Sequence, residues 1–215
     1  MDLLLQFVDI VLHLDKHLAV LVQDYGPWIY AILFVIVFSE TGFVVTPFLP
    51  GDSLLFVAGA VAALGGMDIF LLMGTLIAAA VMGNQVNYHI GRFIGPKVFQ
   101  WEDSRFFNKA ALKKTHAFYE KHGGKAVVIS RFLPLFRTFV PFVAGVGTMG
   151  YATFTLFNIA GAALWVVSLS LVGYWFGNYP WVKQNLSAVI VGIIVVSLIP
   201  VVIGWWQHRR GDNPA

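Results

Sequence analysis

Cysteine is absent from the 215 residues, and charged side chains are few. The first absence excludes disulfides, thiolate metal ligands and a thiol nucleophile. The second excludes an ordinary water-soluble surface, because 12% charged against 58% apolar residues leaves too little polar area to cover a globule. The net charge of +3 is small and unevenly distributed, which is typical of membrane orientation signals and not of nucleic-acid binding. The composition predicts an all-α polytopic membrane protein.

Enzyme motifs are missing as well. The chain has no Gly-x-Ser-x-Gly, no His-Glu-x-x-His and no Walker loop. Ser130-Arg131 is not followed by the His and Asp spacing that a lipid phosphatase needs. We therefore expect a protein that is not an enzyme and that uses no cofactor and no metal.

Six apolar stretches follow an N-terminal segment, residues 1–25, whose polar residues recur every seven positions and predict an amphipathic interfacial helix. A spanning helix needs about 20 apolar residues. Stretches 69–90, 153–176 and 186–206 satisfy this length, whereas 28–38, 53–64 and 126–149 are short or interrupted by Pro, Gly and charges. We predict two re-entrant helical hairpins, at about residues 40–66 and 126–150.

The distribution of Lys and Arg along the chain predicts how the chain is oriented in the membrane. Residues 92–125, a basic amphipathic segment, hold 8 of the 14 Lys and Arg against 3 acids, and the tail 207–215 contains Arg209 and Arg210. Short basic flanks stay cytoplasmic, so we expect both regions and both termini inside. Both basic regions can lie on the cytoplasmic side only if residues 126–150 enter the bilayer and return to the same side. The other hairpin then enters from outside, and the two hairpins oppose each other.

An internal repeat supports the same arrangement. Phe48-Leu49-Pro50 matches 132–134, and the Phe-Val-Ala-Gly at 56–59 matches 142–145, at offsets of 84 and 86 residues. The predicted topology inverts the second repeat, 126–178, relative to the first, 28–91. Inverted repeats are typical of secondary transporters whose site lies at the midplane. A duplication with a purely structural use is the alternative.

Four charges accompany the helix breaks: Glu40 and Asp52 in the first hairpin, and Arg131 and Arg137 in the second. A charge near the bilayer centre costs at least about 2.5 kcal/mol, so we expect these groups to pair or to contact water. Each has a simpler interpretation. Asp52 is placed to be an N-cap, Glu40 could be interfacial, and Arg131 could snorkel to headgroups.

The arginines and the neighbouring helix ends predict an anion site. A guanidinium offers paired donors and half-helix N-termini offer free N–H groups, an arrangement that suits phosphate. We predict that Arg131, Arg137, Ser53 and Thr138 bind substrate. Glu40 and Asp52 are predicted to exchange protons.

Further polar residues on the long apolar stretches are weaker candidates, and we favour interhelical hydrogen bonding as the role of each. They are Asn84, Gln85, Asn87, His89 and Asn158.

Motifs at Glu40-Thr41-Gly42, 47–54, 87–92 and 131–145 resemble those of the DedA family, also called SNARE-associated or VTT-domain membrane proteins, over nearly the whole chain. The resemblance implies opposed re-entrant hairpins, dependence on the proton gradient and translocation of phospholipids, or of undecaprenyl phosphate in some bacterial members. It assigns essential acids to Glu40 and Asp52 and essential bases to Arg131 and Arg137. Where relatives often have Gly-Asp this chain has Gly83-Asn84, so the resemblance supplies no third proton-carrying acid there.

These observations predict a flippase that moves a phosphate-bearing lipid between the leaflets of the bacterial inner membrane and is linked to the proton gradient. Expected partners are anionic phospholipid or polyprenyl phosphate, and protons; homo-oligomerisation stays open and nucleic acid is excluded. A proton-coupled exchanger of small ions or drugs is one alternative. A passive lipid scramblase and a non-transporting scaffold are the others.

Overall fold

The computed structural model describes residues 24–42, 51–95, 116–117, 119–133, 136–147 and 149–179. These ranges are mostly helical and contain no strand, which confirms the all-α class. Their helices are α1 (Trp28–Gly42), α2 (Gly51–Ala63), α3 (Ile69–Ile94), α4 (Lys125–Ser130), α5 (Phe139–Val146) and α6 (Tyr151–Gly177). The predicted interfacial helix, apart from its last two residues, most of the basic segment, the last span and the tail lie outside the described residues.

Helices α3 and α6 are each long and apolar enough to cross a membrane. They contain 26 and 27 residues, so each is about 40 Å long and exceeds a hydrocarbon layer of about 30 Å. An exposed aromatic side chain lies near each end: Phe70 and Phe93 on α3, and Tyr151 and Trp175 on α6. Aromatic rings at both ends are typical of helices whose ends lie at the membrane surfaces.

An interruption separates α4 from α5, because residues 131–133 and 136–138 form turns between Ser130 and Phe139. Pro141 is tolerated because it lies in the first turn of α5. The break predicted in the second hairpin is therefore present. The break predicted in the first hairpin, at residues 43–50, lies outside the described residues. The return of each hairpin to its own side of the bilayer stays a prediction.

Helix α1 extends past the predicted apolar stretch, which ended at residue 38. It continues through Ser39 and Glu40 to Gly42, and Glu40 is fully buried. Hydropathy alone ends the stretch at the first polar residues, whereas the helix continues because those residues face protein.

The chain divides into two compact units. The described parts of the first are residues 24–29, 51–72 and 169–179, and those of the second are the described residues within 30–42 and 73–168. In the first unit α2 crosses the end of α6. A side chain at Gly59 would overlap the backbone of Ser170, and one at Gly173 would overlap that of Phe56.

The second unit contains a matching crossing between α5 and the end of α3. A side chain at Gly145 would overlap the backbone of Tyr88, and one at Gly91 would overlap that of Phe142. Each copy of the repeated Phe-Val-Ala-Gly therefore packs its phenylalanine and glycine backbone against a long helix. The first copy lies in α2 and packs against α6, the long helix that follows the second copy. The second copy lies in α5 and packs against α3, the long helix that follows the first copy.

Candidate functional site

Among the described residues, most of the buried polar side chains belong to the second unit, and two of them lie at the end of α1. Glu40 and Thr41 lie in the last turn of α1 and are buried, although the helix is otherwise apolar. The Thr41 hydroxyl donates to the Val37 carbonyl at 2.8 Å, so this polar group is satisfied within its own helix. Gly83 on α3 permits close packing here, because a side chain at Gly83 would overlap the Thr41 hydroxyl.

Asn87 connects the end of α1 to the turn that precedes α5. Its amide nitrogen donates to the Thr41 carbonyl at 3.3 Å and to the Thr138 carbonyl at 2.7 Å. Thr41 lies in the last turn of α1, and Thr138 immediately precedes α5. Asn87 therefore fixes the position of the turn that contains Arg137 relative to Glu40.

The break between α4 and α5 carries both arginines. Arg131 follows the last residue of α4, and Arg137 lies two residues before α5. Both side chains are almost completely buried, with exposed fractions of 3% and 8%. Snorkelling of Arg131 to headgroups is therefore wrong for this structure, because its side chain turns inward.

Arg137 forms an ion pair with Glu40, from its Nη2 to Oε1 of the carboxylate. Both partners are buried, so the pair lies where solvent screens charge poorly. Removing one partner of such a pair leaves an uncompensated charge in a dry environment, which is strongly destabilising. The Glu40 carboxylate therefore faces protein, and its depth in the membrane stays a prediction.

Arg131 has neutral partners instead. Its Nη2 donates to Oδ1 of Asn158 at 2.6 Å and to the Ala80 carbonyl at 3.3 Å. Asn84 donates to the same Asn158 oxygen at 3.1 Å. No carboxylate within the described ranges forms a salt bridge with Arg131.

Trp165 of α6 lies against both guanidinium groups. The Cζ atoms of Arg131 and Arg137 are 5.9 and 5.7 Å from its ring centroid. These distances are within the range of cation–π attraction, which strengthens where water is excluded. One buried indole therefore holds two like charges close together.

A small cavity lies beside the two guanidinium groups and the Glu40 carboxylate. Its lining residues are Glu40, Thr41, Asn84, Arg131, Arg137 and Trp165. The cavity offers about 10 Å³ to the centre of a water-sized sphere, which is roughly the room for one water molecule. The ionised side chains among the lining residues sum to +1, which favours an anion.

Several buried polar atoms beside the cavity have no hydrogen-bond partner among the described residues. They are Nε of Arg131, the Thr138 hydroxyl and Oδ1 of Asn84 and of Asn87. The Arg131 Nε–H is an unused donor, the Thr138 hydroxyl can donate or accept, and the two amide oxygens are unused acceptors. Buried polar groups are nearly always hydrogen-bonded, so this mixed set is consistent with a polar ligand. Within the described ranges, no three His, Asp or Glu side chains come close enough together to hold a metal ion.

The predicted site residues divide into three sets. Glu40, Arg131 and Arg137 line one cavity, with Asn84 beside them. Asn87 and Thr138 are buried nearby and are joined by a hydrogen bond. His89 is exposed and packs against aromatic rings, so it does not line this cavity.

Asp52 and Ser53 belong to the first unit. Asp52 lies inside the first turn of α2, so the N-cap expectation is wrong and its carboxylate is near the positive end of the helix dipole. Ser53 is buried. Their contribution to an anion site stays a prediction.

Trp165 is the cavity residue that the sequence did not single out. A tryptophan in an apolar span is ordinary, and its seven-residue spacing from Asn158 is the signal that could have indicated a shared helix face. Asn158 itself was indicated only as a residue for interhelical hydrogen bonding. It does bond Asn84 across α6 and α3, and it also holds Arg131.

Comparisons with known proteins agree with the resemblance seen in the motifs. The VTT domain family matches residues 49–175. Protein DedA of Escherichia coli K12 is 53% identical over 212 residues, which cover 98% of this chain and 97% of that protein. An uncharacterized membrane protein of Mycobacterium leprae is 45% identical, with 83% and 80% covered. The E. coli K12 inner membrane protein YqjA is 32% identical, with 86% and 87% covered. No solved structure matches the chain.

Proposed function

Because the chain belongs to the DedA family of VTT-domain membrane proteins, we propose that it moves a phosphate-bearing lipid between the leaflets of the inner membrane. The substrate is undecaprenyl phosphate or a phospholipid, and the movement is linked to the proton gradient. The observation that carries the proposal is a buried cavity with two arginines and one carboxylate, Glu40. Such a site attracts an anion and offers the paired donors that phosphate accepts.

The ion pair suggests how the headgroup is taken up and released. A phosphate that enters the cavity competes with Glu40 for Arg137. Protonation of Glu40 would weaken its hold on Arg137 and favour the phosphate, and loss of that proton would favour release. Asp52 is proposed as a second proton-exchanging acid.

The size of the cavity favours a second candidate, a proton-coupled exchanger of small anions. Room for about one water molecule is too little for a phosphate, so a lipid headgroup requires the surrounding helices to move apart. A small ion would require less movement. The two functions differ in whether lipid changes leaflet.

A leaflet-exchange assay tests the proposal. Purified protein in liposomes should move undecaprenyl phosphate or phosphatidylethanolamine faster than empty liposomes do, and an imposed pH gradient should change the rate. We expect Arg137→Ala to reduce exchange by about 100-fold, as loss of a charge-assisted bond in a dry site does. Arg92→Ala is the matched control, because Arg92 is an exposed arginine on α3.

Rates equal to those of empty liposomes would contradict the lipid proposal. Proton uptake that depends on a small anion, without lipid movement, would select the exchanger. Lipid movement that is indifferent to the pH gradient would select a passive scramblase.

A further inference from the structure

One face of α6 contacts both arginines of the cavity. Asn158, Gly161 and Trp165 are spaced by three and four residues, so they lie one above another on the same side of the helix. All three are buried. We call these three residues the guanidinium cradle.

Asn158 holds Arg131 with a neutral acceptor. Its Oδ1 accepts from Arg131 and Asn84, and its Nδ2 donates to the Val81 carbonyl at 3.0 Å. The orientation of the amide is fixed, because a guanidinium only donates and must face the oxygen. Asn158 therefore contributes a hydrogen-bond acceptor without contributing a negative charge.

Gly161 leaves room for the Arg131 side chain. A Cβ at this position would lie 3.2 Å from Cδ of Arg131 and 3.3 Å from its Nε. These contacts are tighter than ordinary van der Waals contact, so a side chain at this position would push the Arg131 side chain a few tenths of an ångström away from α6. Trp165, one turn further along, supplies the ring against which both guanidiniums lie.

We propose that the guanidinium cradle is a positioning surface that holds Arg131 and Arg137 beside the cavity while leaving the charge of Arg131 uncancelled, so that the site prefers a net anionic headgroup to a zwitterionic one. This inference rests on the proposed function, since it specifies which phosphate lipids the same cavity accepts. An aspartate in place of Asn158 would be nearly isosteric, but it would pair with Arg131 and remove the net positive charge of the cavity.

The first test compares two Asn→Asp variants on one helix. Full-length protein in an uncharged maltoside detergent is titrated with radiolabelled decyl phosphate, an anionic phosphomonoester. It is titrated separately with decylphosphocholine, a phosphodiester whose single negative charge is cancelled by the choline cation. We expect Asn158→Asp to weaken decyl phosphate binding by about tenfold or more and to abolish its preference over decylphosphocholine. Asn178→Asp adds the same charge at an exposed position near the end of α6 and should change the affinity by less than about twofold.

The second test separates positioning from packing at Trp165. Trp165→Phe retains an aromatic face and should bind decyl phosphate within about threefold of the wild type, whereas Trp165→Leu should bind about fivefold or more weakly. Trp175→Leu removes an exposed tryptophan from the same helix and serves as control. Elution as a single folded species and an unchanged helical circular dichroism signal establish that each variant folds.

The outcomes distinguish failure of this inference from failure of the proposed function. If Asn158→Asp retains both affinity and preference while Arg137→Ala loses binding, the cradle is overturned and the anion site stands. The cradle is also overturned if Trp165→Phe and Trp165→Leu behave alike. If wild-type protein binds neither amphiphile and moves no lipid, the proposed function itself fails.

Discussion

Arg131 and Arg137 reach the same cavity from one interruption between helices, yet their partners differ. Arg137 is neutralised by Glu40, and Arg131 is held by an asparagine amide and a backbone carbonyl. Because only one of the two charges is cancelled, the cavity retains a charge of +1, while Nη2 of each guanidinium is hydrogen-bonded. This difference between the two arginines makes the site suited to an anion.

At the scale of single residues, replacing Glu40 by glutamine tests how much the ion pair with Arg137 contributes to stability. Glu40→Gln leaves Arg137 buried without its counter-charge, which we expect to cost about 3–5 kcal/mol of stability. The apparent melting temperature in detergent should fall. Added decyl phosphate should raise it more in the variant than in the wild type, because the bound phosphate replaces the missing negative charge.

Glu120→Gln is the control for this variant. Glu120 is exposed and lies 3.6 Å from His116, so its loss should cost no more than about 1 kcal/mol. The proposed role of the buried ion pair would be contradicted if both variants lowered the apparent melting temperature equally. It would also be contradicted if decyl phosphate stabilised Glu40→Gln no more than the wild type.

The identity of the charged residues could be predicted from the sequence, but their pairing could not. Charges beside prolines and glycines in apolar stretches are costly enough to indicate function, which is how Glu40, Arg131 and Arg137 were found. Which acid meets which base depends on how helices distant in the chain pack. Sequence spacing gives no distance across 97 residues, the separation between Glu40 and Arg137.

At the scale of the elements, glycine determines where helices can approach each other. Gly145 of α5 and Gly91 of α3 bring two backbones into contact in the second unit, and Gly59 and Gly173 do the same for α2 and α6 in the first. Close backbone approach at small residues is the usual basis of helix association in membranes. The break between α4 and α5 could be predicted from Pro134 in the sequence, because proline acts locally. The sequence could not predict that α2 packs on α6 and α5 on α3, because both long helices are equally apolar in sequence.

Two glycine-to-alanine variants test this packing. A methyl group at Gly145 would overlap the backbone of Tyr88, so we expect Gly145→Ala to destabilise the protein by about 1–3 kcal/mol. At Gly74 of α3 nothing lies within 4 Å of an added methyl group. Alanine there removes backbone freedom from the unfolded chain and should be neutral or stabilising by about 0.5–1 kcal/mol.

Chemical unfolding of both variants in detergent, followed by circular dichroism, measures the difference. The crossing would not depend on glycine if Gly145→Ala unfolded at the same denaturant concentration as Gly74→Ala.

At the scale of the whole molecule, composition predicted the membrane as solvent and the helical class, and the motifs predicted the family. These expectations follow from properties averaged over many residues, which tolerate local error. The sequence did not single out Trp165, because its seven-residue spacing from Asn158 is informative only once Asn158 is known to contact Arg131. The size of the cavity could not be predicted from the sequence either. Its small size implies that binding a lipid headgroup requires helix movement.

The central claim is that a lipid phosphate enters the cavity between Arg131 and Arg137. The most direct measurement is photocrosslinking of the reconstituted protein with a polyprenyl phosphate that carries a diazirine on the carbon next to the phosphate, followed by peptide mapping. The account predicts crosslinks to Thr41, Asn84 or Trp165 that decyl phosphate competes away and that Arg137→Ala loses. Crosslinks confined to exposed apolar side chains on the helix surfaces, and unaffected by Arg137→Ala, would contradict it.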